Sequence, residues 1–176
     1  MGKAKRQGDL DGLCGMYAIV NAFQKLNIRQ EANIFETCCE ALSASRWPHT
    51  LWEGTTLRDI ETMVKACREG IHGIDTIKVS YPFRAKQPTS NDEFWTRFDE
   101  LFHLNRKNKC AIIGLTEPAM HWLVAAPKKE VIAFTDSNAL KEVRVPRAKI
   151  YAGQRRPNGE THRIVRKEVI LFERQS

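Results

Sequence analysis

The stretch QGDLDGLCGMYAIVNAF constrains the fold more than any other part of the chain. In it, a loop of small and acidic residues changes abruptly into an apolar run that begins at Cys14. Apolar residues then recur at the three- and four-residue spacing of a buried helical stripe: Met16, Ile19, Val20 and Phe23. The spacing predicts a helix over about 13–26 that crosses the core. Because helix amide dipoles favour an anion at the N-terminus, Cys14 is the candidate nucleophile.

A second set of chemically active residues lies in HWLVAAPKKEVIAFTDSN, which contains two apolar strands around a polar turn. A symmetric hairpin turn over 127–130 places His121 directly opposite Asp136 on one face of the sheet. An imidazole whose one nitrogen is held by a carboxylate can present the other nitrogen to a thiol, as nucleophilic catalysis requires. A turn one residue longer reverses the alternation and brings Thr135 or Ser137 to His121 instead.

The order of these residues resembles that of the papain-like cysteine peptidases. That superfamily carries glutamine, cysteine, histidine and then aspartate or asparagine, and the order here is Gln7, Cys14, His121 and Asp136, with Asn138 a poorer last candidate. The segment CGMYAIVNA is similar to the peptidase domains that cleave leader peptides in bacterial transporters, and DGLC is similar to ovarian-tumour-type deubiquitinases. The resemblance implies an α+β, papain-like fold in which an N-terminal helical lobe packs on a small antiparallel β-sheet.

The resemblance also implies a reaction. It implies a thiol-dependent hydrolase, a cysteine peptidase or isopeptidase that cleaves an amide bond of a protein or peptide substrate through a thioester. Gln7 would donate to the oxyanion, but it stands one position farther from Cys14 than is usual in the family. The loop around Asp11 and Gly12 is the alternative, with backbone amides as donors.

Three further activities use the same residues, and the sequence leaves them open. An amidase, a deamidase and a transglutaminase differ from a peptidase only in the amine that is lost and the acceptor that is used. An alternative of another class is a catalytically idle papain-like module that binds an acidic partner through its basic C-terminal region.

Length and composition predict a single papain-like domain over 1–176, since 42% hydrophobic residues in a chain of this size can bury a substantial core. No segment has the roughly 18–20 apolar residues of a membrane span, and the N-terminal residues lack the apolar core of a secretory signal. We therefore expect a cytoplasmic bacterial or phage protein without a membrane partner. Export by a signal-independent system would leave the same sequence.

The five cysteines argue for a reducing compartment, because they are odd in number and form no C-x-x-C pairs. The four cysteines other than Cys14 stand in apolar patterns and are expected to be buried structural residues: Cys38, Cys39, Cys67 and Cys110. Neither a metal ion nor an organic cofactor is expected.

The net charge of +7 is concentrated near the C-terminus, where ten basic and four acidic residues follow position 140. In HRIVRKEVILFER, charges alternate with apolar residues, which is typical of the solvated face of an outer strand. The alternative is that this region attracts an acidic partner. Nucleic acid is not the expected partner.

The remaining elements follow an α+β pattern, with helices first and strands later. Helices are expected over about 31–44 and 56–69, and a fourth after a capping box formed by Ser90 and Glu93. Besides the hairpin, short strands are expected over about 76–81, 111–115, 142–145 and 164–172. The loop SRWPHTLWEGT carries Trp47 and Trp52, which either anchor the loop on the core or form the wall of a substrate groove.

Overall fold

Helices occupy the first half of the chain and strands the second, in a computed structural model that describes residues 12–137, 142–153 and 159–175. The α-helices are α1 (Cys14–Lys25), α2 (Glu31–Ala41), α3 (His49–Glu53), α4 (Leu57–Gly70) and α5 (Asn91–Leu101). The strands are β1 (Ile77–Ser80), β2 (Lys109–Glu117), β3 (His121–Lys128), β4 (Val131–Thr135), β5 (Val143–Pro146), β6 (Ile150–Ala152) and β7 (His162–Arg174).

The helix boundaries follow local signals in the sequence. At the start of α4, the Thr56 hydroxyl accepts from the Asp59 amide at 3.2 Å, and the Asp59 carboxylate accepts from the Thr56 amide at 2.8 Å. At the start of α5, Ser90 accepts from the Glu93 amide at 3.0 Å, but the Glu93 carboxylate bonds the amide of Thr89. The capping box predicted at Ser90 is therefore only half formed, whereas that of α4 is complete.

Two corrections to the predicted elements are needed, and one helix is confirmed. The second helix ends at Ala41 instead of about residue 44, because Leu42 already has an extended backbone. The short helix α3 and the three-residue strand β6 were not predicted, since elements of this length carry too few residues for a periodic pattern. The first helix is confirmed to within one residue at each end.

The strands form one sheet in the order β1-β7-β2-β3-β4-β5, and every neighbouring pair along this path is antiparallel. The short strand β6 pairs in parallel with the beginning of β7. Strand β7 therefore lies inside the sheet, between β1 and β2, and its prediction as an outer strand is wrong. Its polar residues face neighbouring elements of the fold as well as solvent.

The sheet is covered on both faces, so that successive residues of the central strands enter two different cores. On what we call the near face, α1, α2 and α4 pack against Cys110, Ile112, Trp122, Val124, Ile170 and Phe172. On the far face, Phe94, Phe98 and Phe102 of α5 pack with Phe83 against Ala111, Ile113, Leu123 and Ala125. The α+β class is confirmed, and the finer papain-like arrangement stays a prediction.

Among the described residues, no helix has both the length and the apolarity that crossing a bilayer requires.

Candidate active site

Cys14 is the first residue of α1 and is buried at the edge of a cleft. The residue before it, Leu13, accepts the first helical hydrogen bond from Tyr17 at 3.1 Å, and no side chain within the described residues caps the helix. The amides of the first turn therefore have no partner within the helix. Their dipoles favour a negative charge on the thiol, in agreement with the choice of Cys14 as nucleophile.

His121 and Asp136 meet as predicted. His121 is the first residue of β3, Asp136 follows the last residue of β4, and the imidazole Nε2 lies 2.6 Å from the carboxylate Oδ1. The Cys14 thiol also interacts with this imidazole and raises its pKa. Since Nε2 is held by Asp136, Nδ1 is the nitrogen available to the sulfur. The three side chains thus form a chain of contacts from thiol to imidazole to carboxylate.

The imidazole is held in its charged form. Burial alone would lower the pKa of His121, but the Asp136 carboxylate and the Cys14 thiol raise it to about 9. The His121 side chain is only 11% exposed, so water screens these contacts weakly. At neutral pH the site therefore contains an imidazolium beside the sulfur, which is the proton donor that amide cleavage needs.

The hairpin register is not the predicted one. Lys128 pairs with Val131 and Val124 with Thr135, so the turn consists of Lys129 and Glu130 and lies one residue later than expected. Each residue of β3 is consequently shifted by two positions against β4. A shift of two preserves the alternation between faces, and for this reason the correct carboxylate still reaches the histidine.

The oxyanion donor is only partly defined by the structure. Gln7, Asp11 and Asn138 lie outside the described residues. The Gly12 amide, part of the alternative donor loop, donates to the carbonyl of Leu51 at 2.6 Å and is therefore not available to a substrate. A Cβ at position 12 would lie 2.9 Å from that oxygen, so this close approach requires glycine. The amide of Cys14 itself, in the first turn of α1, is a candidate donor beside the sulfur.

The cleft beside Cys14 and His121 has a volume of about 620 Å³. Two of its apolar residues are unusually exposed: Trp52, the last residue but one of α3, by 72%, and Met120, the residue before His121, by 82%. The two tryptophans of the loop around α3 thus differ, because Trp47 packs against the near-face core while Trp52 lines the cleft. The anchoring role is observed for Trp47, and a substrate groove beside Trp52 stays a prediction.

The loop that carries Thr55 is fixed to the sheet beside the cleft. The indole Nε1 of Trp122 donates to the carbonyl of Thr55 at 2.8 Å, and Trp122 is itself buried. Because Trp122 follows His121 directly, this bond ties one wall of the cleft to the strand that carries the base. The bond thereby holds the Thr55 loop against the strand that begins at His121.

The other cysteines are structural, with one exception to the predicted burial. Cys38, Cys67 and Cys110 are buried, and burial raises the pKa of Cys110 to about 12. Cys39 is only half-buried. The sulfurs of Cys38 and Cys67 lie 3.7 Å apart as free thiols. Within the described ranges, no three His, Cys, Asp or Glu side chains are grouped so as to hold a metal ion.

Several basic residues of the C-terminal region bind within the protein. Arg147 pairs with Asp99, Arg163 bonds Thr116, Arg166 bonds the carbonyls of Ala152 and Thr89, and Arg174 bonds that of Leu26. These guanidinium groups fasten β7 and its neighbours to α1, α5 and the adjoining loops. Much of the positive charge thus stabilises the fold, and an acidic partner stays a prediction.

Comparison with known proteins does not assign the chain to a family. The chain matches no protein-family model, and none of the curated proteins compared with it is significantly similar.

Some residues of the cleft were not selected from the sequence. Met120 and Trp122 flank His121, and their position beside the candidate base was an available signal. Glu168 also lines the cleft, but in the sequence it is one more charge in the alternating pattern of HRIVRKEVILFER. Only the folded geometry of β7 distinguishes it.

Proposed function

We propose that this protein is a cysteine peptidase or isopeptidase that cleaves an amide bond of a protein or peptide substrate through a thioester. One observation carries the proposal: the Cys14 thiol, the His121 imidazole and the Asp136 carboxylate are in sequential contact at an open cleft. The other cysteines, in contrast, lie in or against the apolar near-face core, and none has a histidine partner among the described residues.

In the first half of the reaction, the Cys14 thiolate attacks the carbonyl carbon of the substrate. The carbonyl oxygen becomes an oxyanion, which the Cys14 amide and a second donor bind, with Gln7 as the candidate side chain. The His121 imidazolium then transfers its Nδ1 proton to the leaving nitrogen, so that the C–N bond breaks and a neutral amine departs. The products are the amine and a thioester on Cys14.

In the second half, the now neutral His121 removes a proton from water. The resulting hydroxide attacks the thioester carbon, and the sulfur leaves as a thiolate that pairs again with the imidazolium. Asp136 keeps its bond to Nε2 throughout and holds the tautomer that leaves Nδ1 facing the reacting atoms. No other group is needed to balance the protons.

The papain-like architecture is part of the same proposal. In favour of it, the nucleophile begins a helix of the near face, while base and carboxylate come from neighbouring strands of an antiparallel sheet. The size of the cleft and its exposed apolar residues Trp52 and Met120 favour a peptide over a small amide.

The thiol–imidazole pair is tested by the rate at which iodoacetamide alkylates Cys14 between pH 5 and pH 10, read by peptide mass spectrometry. The wild-type protein is compared with His121→Ala and with the matched control His103→Ala, an exposed histidine outside the cleft. We expect His121→Ala to slow alkylation at pH 6 by about tenfold or more, because the imidazolium favours the reactive thiolate. Cys39, half-buried and without a histidine partner, serves as the internal reference.

An identical rate profile in the wild type and His121→Ala would remove the basis of the proposal. Cleavage itself is tested by incubating the protein with a mixed peptide library and identifying new termini by mass spectrometry. Products should form with the wild type and with His103→Ala, and should be absent with Cys14→Ala. New termini that persist in Cys14→Ala would assign the activity to another group or to a contaminant.

A further inference from the structure

An irregularity in β7 brings a carboxyl group into the cleft. Ile113 of β2 pairs with Val169, but Leu115, two residues later, pairs with Ile164, five residues away on β7. The extra residues of β7 form a bulge, and Glu168 within it lines the cleft that also contains Cys14. Bulges of this kind redirect side chains next to functional sites.

Gly114 makes room for this carboxyl group. A Cβ at position 114 would lie 2.2 Å from the Glu168 Oε2 and 3.2 Å from the Trp122 ring, so a larger residue would displace both. Gly114 pairs with Trp122 across the sheet, and the next pair, Leu115 and His121, contains the catalytic base. The carboxyl group therefore lies on the floor of the cleft, one residue pair from His121.

Within the described part of the chain, Glu168 has no fixed cation to neutralise it. Among the described residues, it accepts no hydrogen bond and forms no ion pair, and Lys167 is the charge that acts on it. Its partial burial raises the pKa of the carboxyl group, and Lys167 only partly opposes this effect. A half-buried carboxylate without a partner is unfavourable, because its charge has been partly removed from water. A cation that entered the cleft would offset this free-energy cost.

The protein carries a net charge of +7, but the described lining of the cleft contains as many acidic as basic side chains, counting His121 as charged. The Arg46 guanidinium is already bound to Asp59 at 2.6 Å, and Glu53 pairs with His49 at 3.4 Å. An incoming positive charge thus meets the Glu168 carboxyl group without competition from Arg46, while the His121 imidazolium opposes it.

The apolar residues of the cleft fit the stem of such a cation. Trp52 and Met120 present exposed apolar surface, and the Trp122 ring lies next to the Glu168 carboxyl group. Lysine and arginine side chains bury an apolar stem while their charged end remains bound to a carboxylate or over an aromatic ring.

We propose that Glu168 is a specificity-determining residue that binds a lysine or arginine side chain of the substrate next to the bond that Cys14 attacks. The proposal rests on the proposed function, since it assigns a substrate class to the same cleft. It makes the enzyme selective for basic peptides, with the Gly114 and Trp122 surface as the floor of the selective position.

The test uses three peptidyl chloromethyl ketones that differ only in the residue next to the reactive carbon: lysine, norleucine or glutamate. Norleucine has the stem of lysine without its charge. Covalent labelling of Cys14 is followed by mass spectrometry in the wild type, in Glu168→Gln, which conserves volume, and in Glu53→Gln, which removes the exposed carboxylate of the same cleft. We expect the lysine label to react about 10–100 times faster than the norleucine label in the wild type, from one charge-assisted contact.

In Glu168→Gln, the rate of the lysine label should fall to that of the norleucine label, while the norleucine rate stays unchanged. Glu53→Gln should retain the preference for lysine, and salt should reduce that preference in the wild type. Equal rates for lysine and norleucine in the wild type, or a preference that survives Glu168→Gln, would overturn the inference.

Failure of the inference and failure of the proposed function are distinguishable. Labelling requires only a reactive thiol, whereas the proposed function requires that His121 control iodoacetamide reactivity and that peptides be cleaved. If the wild type shows no lysine preference but its alkylation still depends on His121, only the role of Glu168 is refuted. The opposite result is a lysine preference that depends on Glu168, together with an alkylation rate of Cys14 that is unchanged in His121→Ala. This result supports the cation site and refutes the proposed hydrolysis.

Discussion

The two faces of the sheet differ in what their residues do. On the far face, one helix closes a stack of phenylalanine rings, in which Phe98 lies 5.5 Å from Phe94 and 5.1 Å from Phe102 between ring centroids. On the near face, three helices pack on the sheet and leave a cleft where α1 begins. That cleft contains an ionised histidine and a half-buried carboxyl group.

The difference is that the near-face core borders the candidate active site, whereas the far-face core is built around stacked phenylalanine rings. Burial of apolar surface is the least costly way to stabilise a fold. The near face contains charges that are favourable only because they pair with each other or with a ligand. Mutations on the two faces should therefore affect different measurements.

The largest expected effect on stability is on the far face. Phe98→Ala should lower the free energy of unfolding by about 3–5 kcal/mol, since it removes a fully buried ring from the centre of the stack. Urea denaturation measures the change, with the exposed Leu104→Ala as control at about 0.5 kcal/mol or less. Below the unfolding transition, the pH profile of Cys14 alkylation should be unchanged. A profile altered in Phe98→Ala would show that the two faces are coupled.

A smaller effect, on the near face, depends on pH. Because the pKa of His121 is raised to about 9, its contribution to stability is complete below about pH 6.5 and is lost as the pH rises through about 9. The contribution is at most about 3.5 kcal/mol, at 1.4 kcal/mol for each tenfold change in proton affinity. Urea denaturation at pH 6 and at pH 10 should show this loss in the wild type. Asp136→Asn should reduce it, and the exposed control Asp75→Asn should not.

If Asp136→Asn left the pH dependence intact, the carboxylate would not be the group that holds the imidazolium. If the wild type showed no loss of stability above pH 8, the charged histidine itself would be in doubt.

The smallest of these effects distinguishes packing near the cleft from chemistry within it. Asp59→Asn should destabilise the protein by about 1–2 kcal/mol at pH 7, because it weakens the capping box of α4 and the pair with Arg46. Burial raises the pKa of Asp59, but hydrogen bonds from Thr56 and Arg46 outweigh it and lower the pKa. The stabilisation is therefore present above about pH 4 and lost as the pH falls through the lowered value.

Chemical denaturation at pH 7 and pH 3 measures this contribution. Asp92→Asn, at the exposed start of α5, is the matched control, with an expected change of a few tenths of a kcal/mol at about the size of a helix-dipole effect. Asp59→Asn should leave the ratio of alkylation rates between wild type and His121→Ala unchanged. A change in that ratio would make Arg46 and Asp59 part of the reacting site.

Local patterns predicted the site better than they predicted the sheet. The first helix and its cysteine were recoverable because an apolar stripe follows directly after a loop. The hairpin was recoverable, but its register was not: Lys128 and Lys129 give no turn signal, and Lys129 adopts a positive φ of 51° that lysine seldom takes. The error of two residues did not matter only because side chains alternate with a period of two.

Long-range pairing was beyond the sequence. Nothing in HRIVRKEVILFER indicates that β7 lies between β1 and β2, because that placement depends on residues far away in the chain. The bulge that turns Glu168 into the cleft exists only in the pairing of β7 with β2. The place of Glu168 in the cleft could therefore not be predicted, although the thiol, the imidazole and the carboxylate were each identified.

The distance along the chain between Cys14 and His121 has a consequence for synthesis. More than half of the 176 residues separate the thiol from its base, so a nascent chain emerges with the cysteine long before the histidine. Until β3 is made and pairs with its neighbours, the Cys14 thiol lacks its contact with the His121 imidazole. On the proposed function, the chain would therefore be unable to cleave peptides until synthesis has passed β3.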